Sequence, residues 1–558
     1  MSSPLSFQGL STGLQTDTLV NAILQQEGQP VQRMIAQQTL NQNQITAYQA
    51  LQSDLTALSS SFATLNGTSF GAQTVTSSDT SNTYVTATAT GATLGNYSIN
   101  VSQVATTGRI SPTMSGGAPT NLSVADPLAT SIFSGTSATF AVRGTDGTIK
   151  TLNLTSANNN LYGLRDAINA SGAGVQATVV NTGSGATPYE LVVTASGTGT
   201  GTTSGLVTLA DVTSGGAVNT LGITAGTVDS LTAPTTLTGG LQSSGADVAK
   251  DAIFSVNGIQ LTRKTNTVTD AVSGLTLNLK QGGQAGSTTL TVATDANAIT
   301  SAMQDVVSKY NALIQEFNRD SASGGALYGQ GAARSLISQV RSTLTSIPAG
   351  LPSTAPYTSA GGVGVKVNQD GTLSLDTVAL QAALTSNPSA VKQVFAFTGT
   401  SSSAAVQFYQ GGANTTTGNI AFNITSYVAN GAVSGTFTVN GTNYNLSGTS
   451  GVLVGQSGTP LDGLILNVSG TGTGTLTLSR GVGQAVQDLV TNMTAAVTGQ
   501  LPQIIQSVTT ANSSLAQQIA DGQDRLAQRK LVLQAQFAQM EAVVGQLQAV
   551  GASLTKMN

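Results

Sequence analysis

The order of apolar and polar positions divides this chain into two helical ends around a long, strand-rich middle. From Thr16 or Asp17, either of which suits a helix N-cap, the positions Leu19, Val20, Ile23 and Leu24 predict a short helix ending before Gly28. Pro30 then falls where the first turn of a new helix tolerates proline, and neither Pro nor Gly recurs until Gly67. Within that second helix Leu51, Leu55, Leu58, Phe62 and Leu65 alternate by four and three, the spacing of an apolar seam. Carried backwards, the register puts Tyr48, Gln44, Asn41 and Gln37 on the same seam, so its first half is polar. Two readings fit those amides: a helix that switches between packed and unpacked states, or a solvated helix without a preferred partner.

The other end mirrors this. Counting by four and three from Ile519 gives Gln523, Leu526, Lys530, Leu533, Phe537, Met540, Val544, Leu547, Gly551 and Leu554. A stripe of this length cannot be buried by one helix alone and needs partner helices. The N-terminal helix and other copies of the chain are the two sources; terminal position, length and polar seam residues favour oligomerisation. Lys530 sets register or snorkels outward.

Between the ends, residues from about 75 to 293 read as strands and turns, with period-two runs at 82–90 and 96–104. Asp146-Gly147 and Asn257-Gly258 mark hairpin turns, and the Gly/Thr/Ser-rich stretch 197–217 reads as a long loop. Helical period returns with Ile299, Met303, Val306, Val307, Tyr310, Leu313, Ile314 and Phe317. After a glycine-rich break at 321–331 a helix runs through Leu336, Ile337, Val340 and Leu344. A hairpin across Asp370-Gly371, a short helix to Phe395 and a second β-segment over 401–480 follow. An internal echo, Phe-x-Val-x-Gly, occurs at 140–144, 254–258 and 437–441, and GLTLNL (274–279) resembles GLILNV (463–468). Irregular spacing excludes a solenoid, so these are similar hairpin solutions. The fold class expected is α+β and multidomain: terminal helices forming a coiled-coil or helical-bundle stalk, antiparallel β-rich head domains inserted between them, and the two termini together at one end.

Composition sharpens this picture mainly by exclusion. At roughly 150 residues per domain, 558 residues suggest three to five domains. Only 8% of residues are charged, against roughly 25% in ordinary soluble domains. There is no His, Cys or Trp, which removes the Ser-His-Asp triad, the thiolate nucleophile and ordinary zinc or iron–sulfur sites. A net charge of −4 gives no footprint for nucleic acid, and no apolar run is long enough to span a membrane. The N-terminus has neither the basic nor the apolar region of a secretory signal. GTSFG (67–71) has the form of a nucleophile elbow around Ser69, but a helix precedes it, strands follow, and no His exists to activate it. Gly67 reads better as a helix C-cap. GAGVQA (172–177) stands between a helix and a strand, the wrong order for a dinucleotide loop, and Asp146 and Asp370 read as turn formers. No enzyme, cofactor or metal is expected.

Several ordered motifs then resemble one family. GLSTGLQTDTLVNAILQQEGQPV (9–31) resembles the N-terminal signature of the flagellar filament cap, or hook-associated protein 2, family, with Thr12 and Gln15 in place of a typical Ser and Asp. LYGLRDAINASGAGVQATVV (161–180) is similar to the "IN" motif of flagellins and hook proteins. RKTNTVTDAVSGLTLNL (263–279), GALYGQGAARSLISQVRSTL (325–344) and DGTLSLDTVALQAALTSNPSAVKQVF (370–395) resemble further family blocks, whereas 401–480 matches only loosely. The resemblance implies a ring at the distal tip of the filament, exported unfolded by the flagellar type III route, with terminal helices as legs reaching into the filament. It implies as partners the chain itself, flagellin, hook–filament junction proteins and an export chaperone on the C-terminal helix. The expected plan is 1–41 and 520–558 as leg helices, and 42–76, 294–400 and 481–519 as the helical stalk. Residues 77–107 with 240–293 form a β-rich head, 108–239 an outer head carrying the IN motif, and 401–480 an additional β-insertion. The oligomerising seam is expected at Leu51, Leu55, Leu58, Phe62, Leu65, Leu526, Leu533, Phe537, Met540, Val544, Leu547 and Leu554. The alternative within flagella is a hook–filament junction protein or flagellin; from a different class, it is a β-rich surface adhesin or tail fibre.

Overall fold

The computed structural model describes residues 15–113, 121–214 and 219–555. The chain forms two compact units, Gly71–Asp295 and Met1–Phe70 joined with Ala296–Asn558. Its α-helices, in chain order, are α1 (Thr16–Glu27), α2 (Gln29–Thr64), α3 (Leu161–Ala170), α4 (Ala296–Ser321), α5 (Gly331–Thr345), α6 (Thr377–Ser386), α7 (Pro388–Phe395), α8 (Val482–Thr494) and α9 (Gln500–Thr555).

The unit Gly71–Asp295 contains two β-modules with separate cores. In the first, strands 73–77, 288–294, 95–103, 252–256 and 259–263 form one antiparallel sheet, and 267–272, 275–279 and 85–89 a second. Alternate residues of both sheets, among them Ile99, Val101, Phe254 and Leu277, are buried together. In the second, α3 packs against sheets containing strands 137–143, 149–155, 175–181 and 189–198. The IN pair of α3 divides two tasks. Ile168 is fully buried in the core, while the Asn169 side chain donates to the Ala177 carbonyl (2.9 Å) and accepts from the Ala177 N–H (2.7 Å). The asparagine thus satisfies a strand's backbone pair from the helix and fixes α3 on the sheet.

The unit containing both termini combines a helical core with a third β-module. This module is one antiparallel sheet in the order 397–401, 472–480, 418–427, 432–439, 442–449, 452–454, 465–468, 406–410. Its first and last strands come together where the Phe397 ring stacks on Phe408, 5.7 Å between centroids. Arg480 ties it to α8, forming an ion pair with Asp488 and donating to the carbonyls of Gly412 (2.9 Å) and Thr415 (3.0 Å).

The sequence echoes coincide with equivalent places in the three β-modules. Phe140, Phe254 and Phe437 are each fully buried, one in each module's core. Asn257-Gly258 and Asn440-Gly441 both have positive φ at both residues (50° and 83°, 50° and 80°), as a two-residue hairpin turn of matching twist requires. The sparse charge also acquires a structural counterpart. Cross-strand Thr–Asn pairs occupy outward positions in all three modules, with Thr436 donating to Asn445, Thr477 to Asn419 and Thr291 to Asn96 at 2.8 Å, and Thr139 to Asn153 at 3.0 Å. Such neutral pairs stabilise a strand pair by an amount comparable to an exposed ion pair.

Some elements differ from the sequence expectation. The stretch read as a loop at 197–217 contains the end of strand 189–198 and the strand 208–211, all four of whose residues are buried; residues 215–217 lie outside the described residues. The helix expected up to Phe395 is two helices, because Asn387 caps α7 by accepting from the Ala390 N–H (2.9 Å) and Pro388 opens it. Gly67 does not cap α2: the helix continues as a π-helical turn over Leu65–Ser69.

Candidate functional site

The twelve seam residues fall into three groups along α2 and α9. Leu51, Leu55, Leu58, Phe62 and Leu65 are at most 1% exposed. They share one core with Ile299, Met303, Tyr310 and Ile314 of α4, Leu336 of α5 and Val486 of α8. The four-and-three spacing therefore serves an intramolecular helical core at this end. Phe62 lies against Gly483, where a Cβ would stand 2.7 Å from the ring and 2.8 Å from the Phe395 carbonyl oxygen. Asp54, beside this seam, has its carboxyl pushed above the usual carboxylate range by burial and, secondarily, by Glu316.

The second group joins the two terminal segments. Both α1 and α2 run along α9, with Val20, Val31, Ile519 and Leu533 buried and Leu526 lying beside Gly28. The close approach depends on Gly522, where an added Cβ would come within 2.8 Å of Val31 Cγ2. Arg529 pairs with Glu27 at 3.2 Å; both are substantially exposed, so the pair contributes at most about 1 kcal/mol. On the polar half of the α2 seam, Gln37 Nε2 donates to Asn41 Oδ1 (2.9 Å) along the helix, and Gln44 is half-buried. Lys530 is exposed. Gly522→Val is expected to lower the melting temperature of the terminal helices by several degrees in circular dichroism, since the branched side chain must separate α2 from α9. An unchanged melt would show that the glycine notch is not what holds them.

The third group is the least buried of the three among the described residues. Phe537 and Val544 are half-buried, whereas Met540, Leu547 and Leu554 are 38%, 65% and 62% exposed. Val543 and Val550, absent from the expected seam, are 54% and 56% exposed. Met540, Val543, Leu547, Val550 and Leu554 make a single row at three-four-three-four spacing, a signal that counting onward from Met540 by three would have found.

The residues weighed for chemistry have structural roles. Ser69 is buried in the π-helical turn. Asp146 accepts from the Thr148 N–H and hydroxyl, and Asp370 likewise from Thr372. Those bonds, the Thr372 hydroxyl first, hold the Asp370 carboxyl below its usual range. No helix among the described residues is long and apolar enough to cross a membrane.

These features describe a protein of helical packing and inserted β-modules, and comparison with known proteins gives its class: a structural protein of the bacterial flagellum. Two family profiles match, flagellar hook-associated protein 2 C-terminus over residues 249–549 and flagellar hook-associated protein 2 N-terminus over 12–108. Among relatives, the B-type flagellar hook-associated protein 2 of Pseudomonas aeruginosa is 28% identical over 405 residues, 69% of this chain and 80% of that one. The flagellar hook-associated protein 2 of Escherichia coli K12 is 26% identical over 405 residues, 69% and 79% of the respective chains. A crystal structure of the D1–D2–D3 domains of the Escherichia coli flagellar cap protein aligns with a TM-score of 0.46 at 28% identity, covering 63% of this chain and 90% of that one. The chain belongs to the flagellar hook-associated protein 2 family, the flagellar filament cap proteins. An adhesin, a tail fibre or a junction protein is not favoured by these matches. Residues 9–14 of the N-terminal signature, Thr12 included, lie outside the described residues.

Proposed function

We propose that this chain caps the distal tip of the flagellar filament as a homo-oligomeric ring and promotes the folding and insertion of arriving flagellin, without catalytic chemistry of its own. The observation that carries the reading is the exposed row from Met540 to Leu554 on the last turns of α9. An apolar face of that length on a helix in water calls for a partner helix. In this reading residues 1–41 and 520–558 are legs, and 42–76, 294–400 and 481–519 a stalk in which the terminal helices coil together. Residues 77–107 with 240–293, 108–239 and 401–480 are three β-modules, a division supported by their separate cores. The ring sits outside the cell after export through the flagellar type III channel, with junction proteins beneath the filament. An export chaperone holds the C-terminal stripe beforehand, since an exposed apolar row favours capture before assembly.

The test combines negative-stain imaging of the purified protein with complementation of a strain lacking its cap. The intact chain is expected to form rings and restore filaments. The double variant Leu547→Lys with Leu554→Lys is expected to give smaller particles and release unpolymerised flagellin, because two charges cannot be buried in a helix interface. Monomeric particles from the intact chain, with no filaments restored, would overturn the reading.

A further inference from the structure

One short strand of the helical unit has an edge that the fold leaves open. Strands Val365–Val367 and Leu373–Leu375 form a two-stranded antiparallel sheet. Bonds from the Asp376 N–H to the Gly364 carbonyl (2.9 Å) and from the Asn368 N–H to the Thr372 carbonyl (2.8 Å) extend it at either end. Opposed residues of such a ladder alternate between bonded and unbonded pairs, so Val365, Val367, Leu373 and Leu375 turn their backbone groups outward. On the Leu373 side a side chain closes the edge: Asn311 of α4 accepts from the Leu373 N–H (2.6 Å) and donates to its carbonyl (2.9 Å). On the other side, among the described residues, no hydrogen bond reaches the outward groups of Val365 or Val367.

A groove of about 320 Å³ lies along that open edge, lined by Leu344 and Thr345 at the end of α5, Ala360 and Gly361 of a 3-10 turn (Ala360–Val363), and Val365 and Val367 themselves. Leu344, Ala360 and Val365 are buried, whereas Val367 is 45% exposed, so the apolar lining opens to solvent beside Val367. Among the described residues Lys366 is the one charged side chain lining it, 3.4 Å from the Asp376 carboxylate, which disfavours a cationic occupant. Gly361 and Gly362 add a second observation. Neither has positive φ, and a Cβ on either would meet no atom nearer than 3.7 Å, so neither conformation nor packing calls for glycine there. Glycine loses the most conformational freedom on folding, and close approach of another backbone is the use that remains at this pair. We infer that the groove takes an extended segment of a polypeptide that has not finished folding. The segment adds to the Val365–Val367 edge as a further strand and sets an apolar side chain between Leu344 and Val365. A folded partner has its backbone groups paired, while an arriving chain has them free. This rests on the capping reading above and names where the chain holds arriving flagellin. Two residues of open edge bind weakly, so the segment leaves as its own structure forms.

The test places the photo-crosslinking residue p-benzoylphenylalanine at Thr345, an exposed position on the groove, in the full-length protein expressed in a strain lacking its cap. Irradiation during filament growth is expected to give an adduct that mass spectrometry identifies as flagellin. Val367→Pro removes one outward N–H without touching the ladder to Leu373–Leu375, a change that an edge strand tolerates. Gly361→Leu fills the groove from a position with open space around it. Each is expected to lower the adduct at least roughly fivefold, the weight of about one hydrogen bond, with ring size and melting temperature unchanged. If Val367→Pro lowers the melting temperature, Gly361→Leu alone decides. An adduct that neither variant reduces, or one with a second copy of this chain in place of flagellin, would overturn the inference. Restored filaments without any adduct at Thr345 would overturn it while leaving the capping reading standing. Neither rings nor filaments from the intact chain would overturn both.

Discussion

Phe62→Ala lowers the stability of the helical unit by about 3–5 kcal/mol, the range for emptying a fully buried aromatic site. The ring is wholly buried and lies where α2 meets α8, against Gly483, with Leu58 and Leu65 one turn away on either side. Collapse around the truncated side chain is opposed from several directions, because α2, α4 and α8 contribute to the same core and each is held by further neighbours. The cost is therefore expected near the top of the range rather than near the transfer free energy alone. Gly483→Ala probes the same contact from the other side. Its methyl group would stand 2.7 Å from the ring and 2.8 Å from a backbone oxygen, so overpacking is expected to cost about 1–3 kcal/mol. Urea unfolding followed by far-ultraviolet circular dichroism measures both. A loss below about 1 kcal/mol for Phe62→Ala would mean that the α2 seam is not the centre of this core.

That result bears on what the sequence discloses. Helical spacing reported burial: the rows Leu51–Leu65 and Ile299–Phe317 both lie in the core. It could not report the partner, because a four-and-three row looks the same whether it faces another helix of the chain or another copy. The same limit explains the C-terminal row, where counting by four and three led to Val544 and Gly551 while the exposed face runs through Val543 and Val550. An α-helix drifts from a strict seven-residue repeat, and only the packing of α1 and α2 on α9 fixes which flank turns outward. Strand 208–211 was hidden by composition, since Thr208 and Asp211 are polar yet buried, and a strand buried on both faces leaves no alternation to read. The π-helical turn at Leu65–Ser69 has no sequence signal at all; Gly67 suggested a stop, and the backbone continued.

Deleting residues 519–558 is expected to abolish ring formation and filament growth while leaving all the hydrophobic cores intact. The described core clusters and the residues packed on them reach no further than Ile505, so the truncation removes none of their members. What it removes is the partner of α1 and of the first half of α2, where Val20 and Val31 are buried only through helix packing. A polar-seamed helix without a partner is marginal in water. Helix content should therefore fall by more than the deleted residues account for, while the thermal transition of the β-modules stays in place. The truncation also takes away the whole row from Met540 to Leu554, so no association through it remains. Far-ultraviolet circular dichroism, sedimentation velocity and filament counts in a complemented cap-deficient strain separate the outcomes. A truncated chain that still forms rings and supports filaments would place the oligomer contacts elsewhere in the molecule. One whose β-modules also melt early would make the terminal helices part of the fold rather than of the assembly.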